Sequence, residues 1–238
     1  MIGDGRARYP TVVHILDAAA KKAADQIALR CEQDEVTYAQ YVRRVSGFAE
    51  YLRTLNVAGS RVALIMGNGI DICVTTFAAQ SAGAQVAALN PGYTAYELEF
   101  LLIDCAPGAI ACDDTTAMTV MPLASKLGLP DPVVVGVHFA LSRWDESAAP
   151  LGLPNPASLS TLQYTGGTTG RPKGIDLQHS AVATNVAQRE NAARRADPGG
   201  DPSLPLIRAR NGPLPERVVS RNTDRREAIP SRRNSRYH

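Results

Sequence analysis

No two cysteines in this sequence stand in CxxC spacing, and no histidine clusters with any of the four: Cys31, Cys73, Cys105 and Cys112. Zinc sites need closely spaced pairs, so this pattern argues against one and for reduced core thiols. No apolar run approaches the roughly 20 residues that cross a bilayer. The start, MIGDGRARYPTVVH, lacks the apolar stretch of a secretion signal. The expectation is a soluble, cytoplasmic protein with no membrane span. GxSxG is also absent, which leaves a serine hydrolase unsupported. Strong net charge is missing too, at +2 over 238 residues. That average hides a division. Residues 1–189 hold 14 basic and 17 acidic residues, a net of −3, whereas 190–238 hold 11 and 6, a net of +5.

Hydrophobic residues make up 45% of the chain, enough to build a core. TVVHILDAAAKKAA (11–24) places apolar residues at 12, 13, 15, 16, 19 and 20, which is helical spacing. IALRC (27–31) reads as a strand. Thr37 with Gln40 forms a capping box for a second helix that ends before Gly59. Three apolar runs then begin at 24-residue intervals: RVALIM (61–66), QVAALN (85–90) and AIACDD (109–114). Helical patterns at 71–83 and 94–108 lie between them. Parallel strands need such crossovers, so the fold class is α/β, a parallel sheet flanked by helices. The regular interval also leaves a solenoid open. VVVGV (133–137) adds a strand, LGLPNPASLS (151–160) a connector, and 161–165 a further strand.

That last strand feeds YTGGTTGRPK (164–173). Gly166, Gly167 and Gly170 can turn backbone N–H groups toward one point, a concavity that holds an anion. Thr165, Thr168 and Thr169 add hydroxyl donors, and Lys173 adds a cation on a long stem. Together they suit a polyphosphate. The Walker pattern GxxxxGK[ST] is not met. A glycine-rich hairpin between strands is the competing structural reading. Among other residues, His14 on an apolar helix face reads as structural, and His179 as a residue able to cap or approach phosphate. Asp113 and Asp114 read as turn residues rather than a carboxylate pair. Tyr38, Tyr41, Phe48 and Tyr51 read as packing.

LQYTGGTTGRPKGI (162–175) resembles the signature loop of the adenylate-forming (AMP-binding) ligase superfamily: acyl-CoA synthetases, luciferases and peptide-synthetase adenylation domains. Gly166 stands where many members carry serine, a version similar to that of the fatty-acid–CoA ligases. Residues 59–107 also resemble the family's N-terminal subdomain, through Asn90, Pro91, Tyr93, Thr94, Glu97 and Leu98. The resemblance covers about 11–189. It implies ATP-dependent joining of an acid, a fatty acid as first choice, to coenzyme A through an acyl-adenylate. ATP, Mg2+ and CoA are the implied cofactors and co-substrates. Thr165 to Gly170 would wrap the β- and γ-phosphates, and Lys173 would add charge.

The resemblance has gaps. No YGxTE or [ST]GD stretch follows, and Lys173 is the last lysine. The family's catalytic glutamate and lysine therefore have no counterpart, and no catalytic residue or metal ligand is assigned. The expected organisation is a partial AMP-binding domain over 1–189 and an Arg/Pro-rich tail over 190–238. With 11 arginines, no lysine and six prolines, the tail is expected to be disordered and to arise from out-of-frame translation. Its arginines are interspersed with acids, so nucleic acid is not an expected partner. The chain is thus expected to be truncated and inactive alone. The alternative is a non-catalytic ATP-binding fragment or decayed gene product.

Overall fold

A computed structural model describes residues 9–137, 139–165 and 172–196. Helix α1 (Val12–Ala23) starts at Thr11, whose Oγ1 accepts from the His14 N–H, and buries Val13, Ile15, Leu16 and Ala19. Strand β1 (Ile27–Cys31) pairs antiparallel with β2 (Asp34–Thr37) as a separate two-stranded sheet. The sequence pattern shows no β2, because DEV is short and largely polar. Thr37 both ends β2 and caps α2 (Tyr38–Thr54), with both halves of the Gln40 capping box formed.

Six strands form the main sheet, in the order β6-β5-β3-β4-β7-β8. They are β3 (Arg61–Ile65), β4 (Gln85–Ala88), β5 (Ala109–Asp113), β6 (Val133–Val135), β7 (Leu159–Thr165) and β8 (Lys173–Gln178). All pairings are parallel except β7 with β8. The 24-residue interval is thus the length of one strand and its helical crossover, and the solenoid reading is set aside. The crossovers are α3 (Ile70–Ser81), α4 (Ala95–Cys105) and α5 (Ala117–Leu127). No pattern announces α5, since Pro122 interrupts it and normally punctuates a helix. β8 also escapes the pattern, because five of its six residues are exposed. Helix α6 (His179–Ala196) follows β8, and its last six residues, NAARRA, consist mostly of strong helix formers.

Alternation along the strands builds a core on each face of the sheet. Val62, Leu64, Ala109 and Ala111 pack with α2 and α3 residues such as Phe48, Val74 and Ala78. Ala63, Ile65, Ile110 and Cys112 pack with Leu98, Leu102, Val120 and Leu123 from α4 and α5. Among the described residues, no helix is long and apolar enough to cross a membrane.

His179 opens α6 and is 1% exposed. Its Nδ1 has no hydrogen-bond partner among the described residues. Burial, then the nearby charge of His14, pulls its pKa down to about 4. Unfolding would restore an ordinary value near 6.5. The stability held above pH 6.5 is therefore lost as pH falls toward 4, by about 2 kcal/mol after allowance for screening. Thermal melts between pH 7 and 4 should show this loss. His179→Leu should flatten it, and an equally steep profile in that variant would place the acid sensitivity elsewhere.

Candidate functional site

The glycine- and threonine-rich stretch joins β7 to β8, so it is the loop of an antiparallel hairpin. The last pairs are Tyr164 with Gly174 and Thr165 with Lys173. Seven residues, 166–172, separate the two legs, whereas a hairpin turn ordinarily needs about two to five. The hairpin reading and the anion-loop reading are therefore compatible: the strands need a turn, but not one this long or this rich in threonine. Of the residues singled out for phosphate, Gly166, Gly167, Thr168, Thr169 and Gly170 lie outside the described residues. Thr165 and Lys173 are described, face each other across the two legs and are exposed. The Thr165 hydroxyl lies 3.5 Å from the Lys173 carbonyl oxygen. Among the described residues no carboxylate pairs with Lys173.

Both legs are tied to the rest of the sheet. Tyr164 donates its hydroxyl proton to Asp104 Oδ2 at 2.6 Å, at the end of α4. Asp176 of β8 accepts from Gln85 Nε2 at 2.7 Å, and Gln85 Oε1 accepts from Arg61 Nε at 2.9 Å. Arg61 Nη1 also donates to the Cys105 carbonyl at 3.1 Å, where a cation suits the helix C-terminus. The three-residue spacing of Thr94 and Glu97 has a local job. The two form a complete capping box on α4, and the Thr94 N–H and hydroxyl hold the Glu97 carboxyl below the usual range.

A cavity of about 610 Å3 lies beyond the carboxyl ends of β3 and β5. β3 leads across to β4 and β5 to β6 on the opposite side, so the cavity sits where the winding direction changes. Asp34, Glu35, Asp71 and Asp113 line it against one guanidinium, Arg44. Arg44 is already paired with Asp145, through Nη2 at 2.9 Å and through Nε. Such an acidic lining repels a triphosphate, so this cavity is poorly suited to one.

Asp114 is a turn residue, as expected, whereas Asp113 is the last residue of β5 and its side chain accepts from the Thr115 and Thr116 N–H groups of that turn. Burial alone would raise the Asp113 carboxyl, but donors from Thr115, Gly67 and Thr116 more than offset this and hold it below the usual range. Asp114 accepts from the Val137 N–H at 3.0 Å. Burial pushes the thiols of Cys73, Cys105 and Cys112 up to about 11, 12 and 11, so none is a ready nucleophile. Tyr41 donates to the Cys73 carbonyl at 3.2 Å and packs on Phe77, a structural role. His179 is buried.

Comparison with known proteins bears on the family and the fold. Residues 16–204 match the family model described as AMP-binding enzyme. A long-chain-fatty-acid–CoA ligase of Salmonella typhimurium is 29% identical over 217 residues, covering 76% of this chain and 39% of the ligase. A polyketide synthase–nonribosomal peptide synthetase of Aspergillus flavipes is 29% identical over 183 residues, 76% of this chain and 4% of that protein. The crystal structure of VinN superposes with a TM-score of 0.70 at 22% identity, over 79% of this chain and 48% of VinN. ATP-bound MatB from Rhodopseudomonas palustris gives 0.65 at 25% identity, over 78% of this chain and 37% of MatB. The chain thus spans less than half the length of each of these proteins.

Proposed function

We propose that this chain, which belongs to the AMP-binding enzyme family, supplies the ATP-phosphate-binding part of an acid–CoA ligase. A fatty acid is the first candidate for the acid, on the similarity to long-chain-fatty-acid–CoA ligases. The observation that carries the reading is the mouth of the hairpin. An exposed lysine without a carboxylate partner among the described residues faces Thr165 across seven residues rich in glycine and threonine.

In the proposed reaction a carboxylate oxygen attacks the α-phosphorus of ATP and pyrophosphate leaves. The thiol of CoA then takes the acyl group and AMP departs. Charge builds on the leaving β- and γ-phosphates, so donors fixed there stabilise the transition state. Lys173 supplies the positive charge. Thr165, Thr168 and Thr169 supply hydroxyl donors, and Gly166, Gly167 and Gly170 supply backbone N–H groups. Magnesium would accompany the triphosphate. The described residues gather no group of ligands for it, and no step is assigned to it.

A second reading, ATP binding without turnover, rests on the sequence. The 238 residues contain no YGxTE element and no lysine after Lys173. Pyrophosphate exchange decides between the two. Exchange of labelled pyrophosphate into ATP that depends on an added fatty acid supports the ligase reading. Exchange driven by amino acids instead moves the acid class toward that of the peptide synthetases. ATP binding without exchange favours the second reading, and binding of neither ATP nor pyrophosphate removes both.

A further inference from the structure

Tyr164 carries a hydroxyl that its packing does not require. Its ring lies on the α4 side of the sheet, among Leu101, Leu102 and Leu162, where phenylalanine would fill the same space. The hydroxyl reaches past this packing to Asp104 Oδ2 at 2.6 Å, with the Leu101 carbonyl at 3.5 Å. Burial, then the bond to Asp104, pushes the phenol up, so it remains a donor at any ordinary pH.

The ring also touches the second leg of the hairpin. Tyr164 stands opposite Gly174, and opposed residues project to the same face of a sheet. A β-carbon on Gly174 would lie 2.8 Å from Leu162 Cδ1 and 3.4 Å from Tyr164 Cε1. Glycine lets the Leu162 and Tyr164 side chains lie across β8 at this point without displacing either. Tyr164 is therefore next to Thr165 in the chain, above the neighbour of Lys173 in space, and bonded to the last turn of α4. The Arg61–Gln85–Asp176 chain ends on that same turn, at the Cys105 carbonyl. One turn of one helix thus receives both legs of the loop.

Glycine costs more backbone entropy to order than any other residue, so arranging a glycine-rich sequence around a ligand carries a free-energy cost. Fixing its roots lowers that cost. We propose that Tyr164 and Asp104 are a positioning pair that holds the roots of the triphosphate loop in register with α4, so that Thr165 and Lys173 meet the phosphates together. The proposal rests on the phosphate reading of the loop. Neither residue touches the ligand; the pair acts through its neighbours.

The test measures binding of Mg-ATP and of inorganic tripolyphosphate to the full 238-residue chain by 31P NMR titration. Lys173→Ala serves as the control for the phosphate reading. Tyr164→Phe and Asp104→Ala should each weaken both probes about three- to tenfold. The double variant should bind no more weakly than the weaker single variant, since both break one bond. Asp104→Asn keeps an acceptor and should recover part of the loss. Melting temperatures should stay close to that of the unaltered chain. Suppose Lys173→Ala loses affinity while Tyr164→Phe does not: the pair then positions nothing, and the phosphate reading stands. Additive losses in the double variant, or losses that simply follow a fall in melting temperature, overturn the pairing in the same way. If Lys173→Ala binds as well as the unaltered chain, or the unaltered chain binds neither probe, the phosphate reading fails and this proposal with it.

Discussion

Lys173→Ala should weaken ATP binding about ten- to thirtyfold while leaving stability unchanged. The ammonium is exposed and has no carboxylate partner among the described residues, so folding gains little from its charge. A triphosphate brings several negative charges to the same point. Near a protein surface one such contact is worth up to about 4 kcal/mol before desolvation and side-chain ordering are subtracted. A net of about 1.4–2 kcal/mol remains, which corresponds to that range of affinity. Lys173→Arg should fall between the two, because a planar guanidinium does not replace a compact ammonium at every phosphate geometry. Raising the salt concentration should weaken the unaltered chain more than Lys173→Ala, since screening acts on the missing charge. Equal affinities at low salt would leave the loop as a hairpin connection only. The melting temperature is the accompanying control.

The largest effect on stability is expected at Gly47, in the middle of α2. A β-carbon there would lie 2.2 Å from Trp144 Cδ1, 2.3 Å from Cγ and 2.7 Å from Cβ. The Trp144 side chain thus clashes from its root, and rotating the ring does not relieve it. Trp144 is also held in place. Its ring stacks on Phe48 at 5.3 Å and meets Phe139 at 5.6 Å. The 3-10 turn that carries it, Leu141–Trp144, is tied to α2 through Arg44 and the adjacent Asp145. Alanine would gain up to about 1 kcal/mol of helix propensity over glycine. Forcing the tryptophan outward costs about 2–3 kcal/mol, so the clash wins by about 1–2 kcal/mol. Gly47→Val should lose about 3 kcal/mol or more, since it is larger and β-branched. Trp144 is the only tryptophan of the chain, so its fluorescence reports the contact directly during urea unfolding. An unshifted emission spectrum with unchanged stability in Gly47→Ala would mean that the tryptophan does not rest on α2.

Much of this architecture can be read from residue order. The three apolar runs at 61, 85 and 109 occupy β3, β4 and β5, because each apolar strand must be followed by a crossover long enough to return parallel. The capping box of Thr37 and Gln40 starts α2, since a hydroxyl satisfying a free N–H is a contact within one turn of chain. What escapes is equally specific. β2 and β8 have too little apolar content to show a pattern and form by pairing with a neighbour. α5 carries a proline that reads as a break.

The candidate site divides along the same line. Thr165 and Lys173 are visible in the sequence because a polyphosphate asks for hydroxyls, freely turning amides and a cation close together along one loop. Tyr164 and Asp104 are 60 residues apart, and Asp176 and Gln85 are 91 apart. No local rule joins them. The sequence alone determined the α/β class, the strand and crossover rhythm, the capped start of α2 and the composition of the loop, because these depend on contacts within about one element. Strand order, the turn of α4 that receives both legs of the hairpin, and the seat of Trp144 on Gly47 were decided only by the tertiary structure. They come from packing two faces of one sheet, which brings distant residues into contact by geometry and not by spacing.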